Sequence, residues 1–327
     1  MNDKNFISVD WGTTNLRIRL VSLPTLEIIE EIKSPKGVKT INKEWLEKGG
    51  DRELHFSDFL KTQLIQFNTE INPTIPIVLS GMASSSIGLR ELPYSVLPFE
   101  SSGNTLHVEL VKSDSFPYYL TIISGVQSST DVIRGEEVQI VGLFEQEDTL
   151  KSIVFIFPGT HSKHIICEKG IVTNFRTFMT GELFEVISEH TILSSSIKNG
   201  RLNKAEWVAF EEGVLQTVKG ISLLNSLFRI RTHTLFKEKT EIENSFYLSG
   251  LLIGEEIRTL TNFTCDTIKL CAGGVLYELY YRAIDILGLL DKTEIISKEI
   301  VDNSVIKGQW KILKEFRIKN KNYENPI

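Results

Sequence analysis

Short apolar blocks alternate with amphipathic stretches along the chain, and the order of the two kinds is informative. Phe6-Val9 and Leu16-Val21 read as strands, Glu27-Lys33 as a third strand of the same hairpin, and Ile75-Ser80 and Leu120-Ser124 as two more. Between them, Asp58 to Phe67 places Phe59, Leu60, Leu64 and Phe67 on one helical face, with Asp58 as N-cap or first-turn acid. The second half repeats the order: strands at Ile153-Phe157, Lys163-Cys167 and Ile171-Arg176, then a helix from about Glu182 to His190. Long helical stretches follow over Lys204-Phe228 and Phe246-Leu260. A buried-looking strand, Thr267-Ala272, then runs through Gly273-Gly274 into a helix over Leu276-Leu287. Strands alternating with helices predict an α/β layered fold. The tail from Asn320 is too polar to pack and is expected at the surface.

Two segments match when superposed. Phe6 to Leu20 reads FISVDWGTTNLRIRL and Ser152 to Cys167 reads SIVFIFPGTHSKHIIC, so that Gly12-Thr13 falls on Gly159-Thr160, 147 residues later. Each is strand, Gly-Thr turn, strand. An offset near half the chain predicts a duplicated domain with one phosphate-facing hairpin in each half. The halves are expected at 1–148 and 149–327, divided near the charged stretch Glu145-Lys151, with the closing helix a candidate to pack back on the first half.

Composition narrows the function. The chain has 327 residues, 41% hydrophobic and 24% charged, enough for two domains with large cores. A net charge of −6 argues against nucleic acid as a partner, since a phosphate backbone is held by excess Lys and Arg. Cys167, Cys265 and Cys271 form no CxxC pair and no even framework, so neither a disulfide scaffold nor a zinc site is expected. The polar start MNDKNFISVD leads straight into a strand, and no apolar run is long enough for a membrane span; the expected location is the cytoplasm, with no membrane partner.

The chemistry concentrates at the turns. In Asp10-Trp11-Gly12-Thr13-Thr14-Asn15, Gly12 admits a phosphate close to backbone amides, Thr13 and Thr14 add hydroxyl donors, and Asp10 could hold Mg²⁺ through water. A plain hairpin turn is the competing reading, weakened by the echo at Pro158-Gly159-Thr160-His161-Ser162-Lys163. There Thr160 and Ser162 offer hydroxyls and Lys163 a point charge or a solvent-facing strand residue, while His161 reads as a turn-fixing or phosphate-touching group. Gly273-Gly274, between an apolar strand and a helix, permits close approach of a base or sugar, though such a turn also serves helix packing.

These motifs are shared with a known family. DWGTTNLR (Asp10-Arg17), SGMASSSIGLRELPY (Ser80-Tyr94), DVIRGEEVQIVG (Asp131-Gly142), PGTHSKH (Pro158-His164), FRTFMTGELF (Phe175-Phe184) and LSGLLIGEE (Leu248-Glu256) resemble the 2-dehydro-3-deoxygalactonokinase family. That family lies within the superfamily of sugar kinases, actin and heat-shock ATPases. The resemblance implies two duplicated actin-like, ribonuclease H-like domains with a nucleotide cleft between them, the sugar-acid site in the first and the adenosine site in the second. It implies transfer of the ATP γ-phosphoryl group to the 6-hydroxyl of 2-dehydro-3-deoxy-D-galactonate, as in galactonate catabolism, with Mg²⁺ required. A homo-oligomer is left open.

Against that chemistry, Asp10 suits the metal and the two Gly-Thr loops the phosphates. The family places the proton-accepting carboxylate at the start of the helix before the second loop. Here that region is Thr130-Glu137, with Asp131 the first candidate and Glu136 close behind; Asp131 fits equally as a helix cap. Arg17 and Arg134 suit the substrate carboxylate, or else structural ion pairs. Asn15, the Gly81-Met82-Ala83-Ser84-Ser85-Ser86 turn and Glu137 are candidates for the sugar-acid chain, and Gly181, in the helix opening Thr180-Gly181-Glu182, for the nucleotide. Arg90 stands where the family often has Trp, which leaves the exact sugar acid open. Two other readings compete: a kinase of another sugar or ketodeoxy acid, and a nucleotide-gated binding protein.

Overall fold

The computed structural model describes residues 4–113 and 116–320, so most of the polar tail lies outside the described residues. The chain divides into two compact units. Unit 1 comprises 1–149, 169–174 and 299–327; unit 2 comprises 150–168 and 175–298.

Unit 1 opens with the hairpin strands β1 (Asn5–Trp11), β2 (Leu16–Ser22) and β3 (Ile28–Ser34), followed by helices α1 (Val38–Lys48) and α2 (Arg52–Leu64) and strand β4 (Ile77–Gly81). Next come β5 (Ser95–Val96), β6 (Phe99–Glu100), β7 (Val108–Ser113), β8 (Phe116–Ile123), β9 (Val126–Gln127), β10 (Val132–Ile133) and α3 (Glu136–Leu143). The main sheet runs β3-β2-β1-β4-β8-β7. Its first three strands are antiparallel, while β4 is parallel to β1 and β8 to β4. The core lies on this sheet: Ile7, Val9 and Trp11 from β1 and Leu16, Ile18 and Leu20 from β2 join Phe56 and Leu60 from α2, all essentially buried. Each fully buried side chain of this size contributes about 1.5–3 kcal/mol.

In unit 2, β11 (Ser152–Phe157), β12 (Ser162–Glu168) and β13 (Ile171–Phe178) precede helices α4 (Thr180–His190), α5 (Lys204–Val218), α6 (Leu223–Leu235) and α7 (Glu241–Arg258). Strand β14 (Thr267–Cys271), helix α8 (Gly274–Ile286) and strand β15 (Thr293–Ile296) complete unit 2, and the closing helix α9 (Lys298–Lys319) belongs, from Glu299 on, to unit 1. The strand order β13-β12-β11-β14-β15 repeats β3-β2-β1-β4-β8, with β11 antiparallel to β12 and parallel to β14, and β14 parallel to β15. The duplication expected from the two hairpins, and the ribonuclease H-like frame that the resemblance implies, are therefore present.

Each unit also holds one helix pair packed through glycine. In unit 1, a Cβ on Gly142 of α3 would sit 1.8 Å from the Ser304 carbonyl oxygen of α9, and one on Gly308 of α9 would sit 1.9 Å from that of Val138. In unit 2, a Cβ on Gly213 of α5 would meet Tyr247 O at 2.4 Å, and one on Gly250 of α7 would meet Phe210 O at 2.1 Å. Only glycine allows the backbones this close.

Several expectations need correction. Helix α2 begins at Arg52, capped by Asp51, whose side chain accepts from Leu54 N at 2.8 Å, so Asp58 lies inside it. The stretch 204–228 is broken by Gly220, at φ +67°, into α5 and α6. Helix α1 and strand β7 fall in stretches the sequence pattern left unassigned. Asp131 does not open the helix: α3 starts five residues later, at Glu136.

Candidate active site

The β1–β2 turn is braced from behind by the first turn of α1. The carbonyls of Gly12, Thr13 and Thr14 accept from Val38 N (2.9 Å), Lys39 N (3.1 Å) and Gly37 N (3.0 Å). In a trans peptide the N–H points opposite to the C=O. The amides of Thr13, Thr14 and Asn15 are thus aimed away from α1, toward the side where these three residues are exposed. Successive amides so directed form an anion-binding concavity. Gly37 is required behind it, because a Cβ would lie 2.3 Å from Thr13 O.

The β11–β12 turn is built the same way. Glu182 N, in the first turn of α4, donates to Thr160 O at 3.1 Å, and a Cβ on Gly181 would lie 2.7 Å from both Gly159 O and Thr160 Cα. Gly181 therefore packs against this loop as Gly37 packs against the first. Gly159 differs from both: its φ lies outside the left-handed region, and a Cβ there would meet no atom within 4 Å. The fold gives no reason for glycine at this position, whereas a group bound over the loop would.

Beside the first loop lies an acidic cluster. Asp10, next to last in β1, lies opposite Arg17 on β2 and beside Ser80 on β4. Burial pushes its carboxyl up, against the pull of Arg17 and Arg19, with Asp302 and Glu136 close enough to raise it further. Gly81 and Gly135, at φ +79° and +106°, bring the end of β4 against the start of α3: a Cβ on Gly135 would be 3.6 Å from Gly81 Cα. Glu136 is thereby delivered to the cluster, its Oε2 accepting from Arg134 N at 3.0 Å. Glu137 is fully buried; its Oε2 accepts from Gly135 N at 2.7 Å, and its Oε1 is a buried atom with no hydrogen-bond partner. Burial, then repulsion from Glu136, pushes the Glu137 carboxyl up to about 8.

Two arginines stand around these acids. Arg17 pairs with Asp302 of α9 at 3.2 Å, and Arg134 donates to Ser84 Oγ with its guanidinium 4.4 Å from the centre of the Tyr94 ring. Asp131 lies on the β9–β10 turn, its Oδ1 accepting from its own neighbour Val132 N at 2.7 Å. Ser85 is buried and donates to Met82 O at 2.8 Å, and Met82 packs on the core, so this turn presents less polar surface than its sequence suggests. Arg90 is forked onto Glu53 of α2 through two 2.7 Å bonds, with Glu109 of β7 at 3.7 Å. It joins α2 to the sheet edge.

In unit 2 the candidate nucleotide contacts separate into two sets. Thr160 and His161 are exposed on the loop, His161 Nε2 lying 2.6 Å from Glu182 Oε2. Ser162 is wholly buried and donates to Glu256 at 2.6 Å, and Lys163 is nearly buried with its Nζ on the His161 carbonyl at 2.9 Å. Both support the loop from beneath rather than presenting polar atoms above it. Gly273 caps α8 and Gly274 begins it, exposed at φ +62°. A largely apolar cavity of about 170 Å³ opens beside Gly159 and Gly181, with Phe184, Leu252, Leu276 and Tyr280 among its walls.

The sequence reading missed Asp302 and Gln309 of α9, which meet the site only in the folded chain. Gln309 is buried, donating from Nε2 to Val9 O at 3.0 Å and to Ser80 Oγ at 2.9 Å, and so pins α9 under the ends of β1 and β4. Apolar residues at helical spacing, Val305, Ile306, Ile312 and Leu313, were the available signal for this helix.

Two sheets of the same strand order, each with a Gly-Thr turn braced by the start of a helix and one with an acidic cluster beside that turn, make a duplicated α/β frame. The chain belongs to the 2-keto-3-deoxy-galactonokinase family, matching it over residues 10–312. The 2-dehydro-3-deoxygalactonokinase of Escherichia coli (strain K12) is 29% identical over 291 residues, covering 86% of this chain and 90% of that protein. A relative from Rhizobium meliloti (strain 1021) bearing the same enzyme name is 30% identical over 294 residues, 87% of this chain and 90% of its own. A crystal structure of a Sinorhizobium meliloti protein, also under that name, superposes with a TM-score of 0.78 at 27% identity over 98% of this chain and 99% of that one.

Proposed function

We infer that this protein transfers the γ-phosphoryl group of ATP to the 6-hydroxyl of 2-dehydro-3-deoxy-D-galactonate, acting in the cytoplasm. The observation that carries the reading is a division of labour within a duplicated frame. Each unit keeps a loop braced by the start of a helix, which takes up the carbonyls of Gly12, Thr13 and Thr14 in unit 1 and that of Thr160 in unit 2. The position two before the loop glycine is Asp10 in unit 1 and Phe157 in unit 2, and the apolar cavity beside Gly159 and Gly181 belongs to unit 2. Catalytic charge is therefore assigned to unit 1 and the adenosine to the cavity beside Gly159, with Gly273 and Gly274 at the start of α8, the helix that lends Leu276, Leu279 and Tyr280 to its wall.

Phosphoryl transfer depends on alignment and charge neutralisation more than on covalent help from the protein. Donors for phosphate are assigned to Gly12, Thr13 and Thr14 in unit 1 and to Gly159, Thr160 and His161 in unit 2. Asp10 is the carboxylate suited to Mg²⁺. A single carboxylate such as Asp10 would hold Mg²⁺ through water, the ion keeping its other waters and phosphate oxygens. Bound there, Mg²⁺ would offset charge on the phosphate oxygens. Glu136, sharing the cluster with Asp10, is the better placed acceptor for the hydroxyl proton; Asp131, tied to its own turn, is the weaker choice. Arg17 and Arg134, with Asn15 and Gly81 beside them, are assigned to the sugar acid, whose carboxylate suits a guanidinium.

The test is ADP production with Mg-ATP and 2-dehydro-3-deoxy-D-galactonate against its gluconate epimer, galactose and no acceptor. Turnover fastest with the galactonate acid is expected. Faster turnover with another acceptor would move the assignment to that sugar, and ADP release independent of any acceptor would overturn it.

A further inference from the structure

Glu256, at the end of the LSGLLIGEE stretch, takes no part in the chemistry above, yet it is among the most heavily bonded side chains of unit 2. It is 2% exposed, and four side chains bond to its carboxylate. Ser162 Oγ (2.6 Å) and His164 Nε2 (2.9 Å) meet Oε1, while Tyr280 OH (2.7 Å) and Thr180 Oγ1 meet Oε2. Burial alone would raise its pKa, but the hydrogen bond and attraction of His164, with the hydroxyls of Ser162 and Thr180, bring it below the ordinary glutamate value.

A buried carboxylate is a costly way to fill a core unless its donors must be held in place. These donors come from the structures around the nucleotide cavity. Ser162 is the first residue of β12 after the phosphate loop, Thr180 the first of α4, and Tyr280 a residue of α8; Thr180 and Tyr280 also line the cavity. Thr180 precedes Gly181, whose backbone rests on Gly159 and Thr160, so a shift at Thr180 is passed directly to the loop. Glu256 itself is set in depth by the glycine contacts between α5 and α7, including Gly254, where a Cβ would stand 3.0 Å from Thr217.

We propose that Glu256 is a positioning residue for the nucleotide: its carboxylate ties the second phosphate loop, the start of α4 and helix α8 into the single arrangement that shapes the cavity beside Gly159. This rests on the assignment of that cavity to ATP. Binding of ATP with Mg²⁺ to the full chain by calorimetry, together with KM for ATP, KM for the sugar acid and kcat, tests it. In Glu256→Gln the affinity for ATP is expected to fall about tenfold or more, the scale of one charged hydrogen bond, while KM for the sugar acid stays within about twofold. Ser162→Ala, which removes one donor and keeps the carboxylate, should weaken ATP binding by a smaller factor.

A folded Glu256→Gln variant that binds ATP as wild type does, or that raises both KM values equally, would overturn the proposal and leave the kinase reading intact. Should Glu256→Gln fail to fold, unchanged ATP affinity in both Ser162→Ala and Tyr280→Phe would overturn it instead. A wild-type protein that binds no nucleoside triphosphate would remove the kinase reading, and this inference with it.

Discussion

Gly159 and Glu137 show how a single residue can carry information that its local structure does not require. Gly159 has room for a side chain and no left-handed φ, so Gly159→Ala should leave thermal stability within about 0.5 kcal/mol of wild type. If phosphate occupies the space above it, the same substitution raises KM for ATP roughly tenfold; a variant with unaltered KM would move the phosphate elsewhere. Glu137 makes a prediction in pH. Its folded pKa, about 8, lies above the 4.5 of a free glutamate, so the folded state holds the proton more tightly than the unfolded one. Its contribution is full below the unfolded value and is lost as pH rises through about 8. Glu137→Gln, which keeps an acceptor for Gly135 N, should flatten that decline and be more stable than wild type at alkaline pH by on the order of 2–4 kcal/mol. Urea unfolding of both proteins across that range checks it, and parallel curves would mean that Glu137 ionises at an ordinary pKa.

At the scale of elements, the recurring unit is a hairpin turn with a helix start pressed against its back. The helix supplies N–H groups that its own first turn cannot use, and the turn's carbonyls take them up, which leaves the turn's amides facing outward. The arrangement depends on glycine at the contact. In Gly181→Ala the new methyl would meet backbone at 2.7 Å on two atoms, and backbone can give way only by moving the loop. A loss of about 1–3 kcal/mol in unfolding free energy is expected, accompanied by weaker ATP binding, in contrast to Gly159→Ala. Equal behaviour of the two variants in urea unfolding would contradict this account of the brace. Neither brace was legible in the sequence as such. Thr180-Gly181-Glu182 reads as an ordinary helix opening, and Gly37 carries no signal until the chain that follows β3 is seen to return to the first loop.

Across the whole molecule, ligand linkage gives the broadest check. Nucleotide that binds only the folded protein should raise the unfolding free energy with the logarithm of its concentration, by about 2.7 kcal/mol at a hundred times Kd, and the melting temperature with it. Chelation with EDTA should abolish turnover; activity unaffected by EDTA would remove the metal role given to Asp10. The duplication, the strands on either side of each Gly-Thr turn and the family were legible in the chain, because strand alternation and Gly-Thr turns are local and repeat at one spacing. What local pattern could not carry was which side chains of distant segments meet. Asp302 reaches Arg17 of β2 and Gln309 the ends of β1 and β4 from nearly three hundred residues away, and Glu256 gathers hydroxyls from β12, α4 and α8. Residue type and spacing are enough to set a turn or a helical face, since their interactions lie within a few positions. Which buried carboxylate keeps its proton, which serine faces inward and which glycine stands open are set by neighbours far off in sequence, and those the packed tertiary structure alone decides.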